Sequence, residues 1–118
     1  MSSQSEQLRE RTKSFALRIV KLFRSLPRSI EAQVIGKQLL RSGTSVAANY
    51  RAACRARSKP EFISKIGIVI EEVDESVLWI EMLSDAEILK RSRLEQLLDE
   101  ARQLTAIFTA SRETAKKK

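Results

Sequence analysis

The chain has 118 residues, of which 22 are Lys or Arg, 15 are Asp or Glu and none is His, giving a formal charge of +7. That length supports one core rather than two, and a composition with three Gly, two Pro and abundant Leu, Ile, Ala, Glu, Lys and Arg points to an all-α class. The lack of histidine removes the usual general base, nucleophile partner and zinc ligand, Cys54 is alone and excludes an intramolecular disulfide, and no run approaches the roughly 20 apolar residues that span a bilayer.

A first helix is predicted from about Ser5 to Leu26, with Leu8, Phe15, Ile19, Leu22 and Leu26 recurring at three- and four-residue steps. Pro27 ends it. A second helix starts near Ser29, whose hydroxyl can cap it, and runs to about Ala56 with Val34, Leu39, Val46, Tyr50 and Ala53 on one face. Its middle is lean, and Gly36 and Gly43, seven residues apart near Ala47, mark a side where a neighbouring helix comes close. Gly67 on the third helix fits the same description. A kink at Ser42-Gly43-Thr44-Ser45 is the weaker alternative, because these hydroxyls can bond back to the preceding turn and keep the helix intact.

The third helix opens at the capping box Ser58-Lys59-Pro60-Glu61, in which the Ser58 oxygen accepts the Glu61 amide and the Glu61 carboxylate reaches the Ser58 amide. It continues through Phe62, Ile66, Val69, Val73, Val77, Ile80 and Leu83 and ends near Ile88. A second box, Ser92-Arg93-Leu94-Glu95, opens a fourth helix with a stripe of Leu94, Leu97, Ala101, Leu104 and Phe108, and Lys116-Lys117-Lys118 should fray. Short connections between such helices predict an antiparallel up-down-up-down four-helix bundle in one domain over 1–118. The third helix carries more apolar residues than one core face needs: Ile63, Ile68, Ile70, Leu78 and Trp79 lie off its main stripe. That surplus predicts a homo-oligomer interface that includes Ile63, Ile70 and Trp79.

Charge is segregated along the chain: net +10 over residues 1–65, −7 over 66–89 and +4 over 90–118. Arg41, Arg51, Arg55, Arg57, Lys59 and Lys65 gather around the junction of the second and third helices and are the candidate nucleic-acid-binding residues. Arg51 and Arg55 lie one turn apart, and the planar fork of arginine suits either phosphate or carboxylate. Two partners therefore remain open, a nucleic-acid backbone or the acidic run Glu71-Glu72-Val73-Asp74-Glu75 of this or a neighbouring subunit. Glu71 and Glu75 have a spacing that could hold a divalent metal, but no histidine exists to complete a di-iron set, so pairing with arginine is the expectation. Tyr50 alone argues for packing rather than base stacking. No phosphate-cradling glycine loop is present. The expectation is a non-enzymatic protein with no catalytic residue, cofactor or metal. The N-terminal stretch MSSQSEQLRERTK lacks the apolar core of a signal peptide, and a lone Cys fits a reducing cytoplasm.

Three segments, Arg41-Ser42-Gly43-Thr44-Ser45-Val46-Ala47-Ala48-Asn49-Tyr50-Arg51, Ala56-Arg57-Ser58-Lys59 and Glu61-Phe62-Ile63-Ser64-Lys65-Ile66, together resemble the 23S rRNA intervening-sequence proteins, relatives of the accessory variability proteins of diversity-generating retroelements. The resemblance implies an antiparallel four-helix bundle that assembles into a barrel-shaped homopentamer. It also implies a positive surface that binds nucleic acid, RNA above all, or a reverse-transcriptase protein partner, which keeps a protein-interaction adaptor as the second reading. It carries no catalytic residue. The chain departs from the family pattern at Ala52, where a Glu often follows the Tyr-Arg pair, and at Pro60, which a first helical turn tolerates. Without that Glu, Arg51 is freer for another partner.

Overall fold

The computed structural model describes residues 3–118, so residues 1 and 2 of the domain expected over 1–118 lie outside the described residues. It holds four helices, α1 (Ser3–Arg24), α2 (Ile30–Cys54), α3 (Lys59–Asp85) and α4 (Arg91–Lys117), with no strand among the described residues. α1 stops ahead of Pro27, and the amides of Ser25 and Leu26 close its last turn on the carbonyls of Leu22 and Phe23 at 3.0 and 3.2 Å. Ser29 caps α2, its hydroxyl accepting the Ala32 amide at 3.4 Å. α2 runs unbroken through Ser42-Gly43-Thr44-Ser45, where the Thr44 hydroxyl donates to the Leu40 carbonyl at 2.7 Å.

Ser58 caps α3 by accepting the Glu61 amide at 3.2 Å. The reciprocal half differs from expectation, because the Glu61 carboxylate accepts the Arg57 amide at 2.9 Å instead of the Ser58 amide. It thereby answers a donor that no backbone carbonyl takes. α3 ends at Asp85, three residues before Ile88. A Schellman turn stops it: the Glu87 amide bonds to the Ser84 carbonyl and the Ile88 amide to the Leu83 carbonyl, each at 3.0 Å, with Glu87 at φ 58°.

The Ser92 capping box does not form. α4 begins at Arg91 behind Lys90, with no side-chain cap. Leu89 and Leu94, both buried, occupy the two positions of a hydrophobic staple, which fixes the helix start ahead of the serine. α4 stays helical through Lys117, including two of the three lysines expected to fray.

Side-chain pairings set the topology. Gly36 and Gly43 of α2 lie against Leu26, just past α1, and Ile19 of α1, Arg41 and Ser45 of α2 meet Glu75 and Glu72 of α3, and Arg11 of α1 and Ser25, just past its end, meet Glu100 and Arg93 of α4. Each of these three helix pairs is antiparallel, so the chain goes up, down, up and down. All four helices contribute to one core, in which Phe15, Ile19, Leu39, Ile66, Ile80, Leu104 and Phe108 are almost wholly enclosed. Each such side chain contributes roughly 1.5–3 kcal/mol through burial.

Two expectations about packing fail. Val34 is 58% exposed, because the inward face of α2 is carried by Ala32, Ile35, Gly36, Leu39, Ser42, Gly43, Val46, Tyr50 and Ala53, and Val34 falls out of phase with that stripe. Gly67 has no neighbouring atom within 4 Å of a built Cβ, unlike Gly36 and Gly43, so within the chain it marks no close approach.

Candidate nucleic-acid interface

The lean middle of α2 brings α3 close enough for the buried hydroxyls of Ser42 and Ser76 to meet at 2.8 Å. This contact fixes the register of α2 against α3 and decides which of the basic side chains remain free. Arg41 does not: its guanidinium donates to Glu72 at 3.3 Å and to Glu75, which also accepts the Trp79 indole N–H at 3.1 Å. Glu72 further accepts the Ser45 hydroxyl at 3.1 Å, and the Asn49 amide donates to Ser45 at 2.8 Å. The Trp79 hydrogen bond and then Arg41 hold the Glu75 carboxyl below its usual value. The acidic run therefore takes an arginine within the same chain, but it takes only Arg41.

Arg51, Arg55, Arg57 and Lys65 line one shallow trough of about 490 Å³ with Ala48, Ala52 and Glu61, at the end of the bundle where α2 passes into α3. None of these four cations has a carboxylate within 4 Å among the described residues, whereas Arg11, Arg41, Arg91 and Arg112 all do. Glu61 adds a negative charge to the wall, and part of its hydrogen-bonding capacity is used by the Arg57 amide. Ala52, where the family pattern often has Glu, leaves the floor apolar and uncharged.

Lys59 lies off the trough and donates to a main-chain oxygen of Lys118. Arg41 is ten residues from Arg51, about 15 Å along the helix. Of the six residues singled out in the sequence, four thus converge and two sit elsewhere.

A fifth cation joins from α1. Arg9 lines a second, adjoining depression of about 300 Å³ with Arg51, Cys54 and Arg55. Sequence reasoning missed it because it lies some 40 residues away in the chain and nothing local distinguishes it from the other basic residues of α1. Antiparallel pairing of α1 with α2 was the one signal that could have placed it. Tyr50 is buried and packs against Phe108 with ring centroids 5.1 Å apart and planes tilted by 38°, and burial, then the Cys54 thiol, push its phenol up from the ordinary value. Its ring belongs to the core.

Ile63, Ile70 and Trp79 are each half-buried and do not share a face. The seven-residue step puts Ile63 and Ile70 on one flank of α3, and the nine residues from Ile70 to Trp79 turn the helix by about 900°, half a turn away. Trp79 lies on the α2 flank, through Glu75 and Arg41. The exposed large apolar residues of this region are Leu78 and Met82, with Ile30 and Val34 on α2. Antiparallel pairing about Ser42 and Ser76 sets all four toward the same end of the α2–α3 pair.

Among the described residues, no helix is long and apolar enough to cross a membrane, and no group of three His, Cys, Asp or Glu side chains is placed to hold a metal. The model of the 23S rRNA-intervening sequence protein family matches residues 5–110. A crystal structure of a protein of unknown function from the S23 ribosomal protein family of Bacteroides thetaiotaomicron VPI-5482 is similar at 31% identity, with a TM-score of 0.86 over 92% of this chain and 97% of that one. No curated protein matches the chain.

Proposed function

The chain belongs to the 23S rRNA-intervening sequence protein family, and we propose that it is a non-enzymatic, self-associating helical bundle that binds nucleic acid through phosphate contacts in the α2–α3 trough. The observation that carries this reading is the set of Arg51, Arg55, Arg57 and Lys65 around one trough without ion-pair partners, in a chain whose other arginines include four with carboxylates at hand. Four like charges held together repel one another, and a polyanion relieves that repulsion while releasing its counterions. The family is described by reference to 23S rRNA, which makes RNA the polyanion to try first. Arg41 and Lys59 are left out of the site because their side chains are engaged elsewhere.

The test is single-stranded RNA binding across a salt series, for the wild type and for Arg51→Gln/Arg57→Gln. The expected result is weaker binding to unrelated sequences alike, with the slope of log K against log salt shallower by about 0.7 per lost contact. Circular dichroism should not change. Unchanged affinity and slope would remove the trough as the site, and a wild type that binds no RNA would leave a protein partner for the basic surface.

A further inference from the structure

The trough does not use all of the free cations at its end of the bundle. Behind Arg51 and Arg55, which line both depressions, the second depression is completed by Arg9 of α1 and Cys54 of α2, and no carboxylate lines it. Arg9 has no ion-pair partner within 4 Å among the described residues, although the same helix pairs Arg11 with Glu100 at 2.6 Å. A trough is suited to a continuous backbone, whose phosphodiesters each carry one charge. A three-sided arginine cup opening beside it suits a more highly charged group at a strand's end.

We propose that Arg9, Arg51 and Arg55 form a subsite for the terminal phosphomonoester of a nucleic-acid strand whose backbone lies in the trough. The proposal rests on the reading of the trough as a backbone site and adds a preference for one chemical end group. Three arguments support it. A terminal phosphomonoester carries about −1.5 to −2 charges at pH 7, with its second pKa near 6, and offers three oxygens where an internal diester offers two. Guanidinium forks pair with such oxygens two at a time, and arginines from two helices approach them from different directions. The depression, about 300 Å³, has room for a phosphate with part of its hydration.

One oligoribonucleotide prepared with 5′-hydroxyl, 5′-phosphate and 3′-phosphate ends tests it, with binding measured to the wild type and to Arg9→Gln at fixed salt. The wild type should bind at least one phosphorylated form roughly three- to tenfold more tightly than the hydroxyl form, and which form gains identifies the end. Arg9→Gln should lose most of that preference, read as the ratio of phosphorylated-form to hydroxyl-form affinity within each protein, because losing one cation beside the trough weakens every form alike while only the phosphomonoester reaches the second depression. The preference should also shrink between pH 7.5 and pH 5, as the monoester takes up a proton near pH 6. The groups lining the cup are Arg9 of α1, Arg51 and Cys54 of α2 and Arg55 at its C-terminal cap, and the chain has no histidine to titrate in that window.

Equal affinity for all three forms, or a preference that survives in Arg9→Gln, would overturn the cup and leave the trough standing. Failure of every form to bind would overturn both readings.

Discussion

At the scale of single residues, two backbone positions bear local conflicts that substitution can expose. Glu87 holds φ 58° in the turn after α3, a conformation that costs an L-residue roughly 1–2 kcal/mol and that glycine adopts freely. Glu87→Gly should therefore raise stability, by about 0.5–1 kcal/mol once the greater freedom of glycine in the unfolded chain is subtracted. A higher denaturant midpoint at unchanged m-value checks it. The glycines divide the same way. A Cβ at Gly43 would sit 2.4 Å from the terminal methyl of Ile19, itself fully buried, so Gly43→Ala should destabilise by up to about 2 kcal/mol despite its better helix propensity. Gly67 has open space around it, and Gly67→Ala should stabilise the isolated chain by roughly 0.4–1 kcal/mol. Paired denaturation curves for the two variants give the signs, and equal signs would contradict the packing described for α1 against α2.

The helices separate what local sequence determines from what packing determines. Ser29 and Ser58 cap where their positions predict, because each is followed by the first turn of a long helix and an amide is within reach. Ser92 has the same local pattern and does not cap, because Leu89 and Leu94 start α4 from the core side and place the serine inside the first turn. Ser58→Ala should lower stability by about 0.5–2 kcal/mol, and Ser92→Ala should stay within about 0.5 kcal/mol of the wild type, both read from denaturation midpoints. The stripes of α1 and α4 were legible because their apolar residues recur at strict helical steps, whereas Val34 was misplaced because α2 fills its inner face with Gly, Ser and Ala. The basic cluster was legible as a run of charge. Its division into Arg41 on the acidic run and four cations in the trough was not, since it depends on the α2–α3 register set by Ser42 and Ser76.

That register also makes Trp79 a reporter. Its indole and Arg41 hold the Glu75 carboxyl below the ordinary range, so the stabilisation from this contact is complete above an unfolded-state pKa of about 4.3 and is lost as pH falls through the lower folded value. Trp79 fluorescence should show a transition with a midpoint below about 4.3, and Glu75→Gln should remove it.

Across the whole molecule, the question left by charge and apolar surface is whether copies of the chain meet, and through which face. Ile63 and Ile70 lie on one flank of α3 and Trp79 on the opposite one, so they can share an interface only if one copy's Ile63 and Ile70 face another copy's Trp79 in a head-to-tail contact, and Ile70 and Trp79 are already partly packed against the core. The outer surface offers a different candidate. Leu78 and Met82, one turn apart on α3, are 48% and 38% exposed, and Ile30 and Val34 of α2, also one turn apart, are more exposed still. Exposed apolar residues toward one end of a helix pair suit contact with another protein surface. If copies associate through this surface, sedimentation of the wild type should give a multimer at micromolar concentration, and Leu78→Glu/Met82→Glu should shift it to monomer. Both positions point away from the core, so the variant's helical content should match that of the wild type. This choice avoids the ambiguity of replacing Trp79, which would also disturb Glu75 and Arg41. A monomeric wild type would refute self-association, and a multimer that survives both glutamates would move the interface to another face of the bundle.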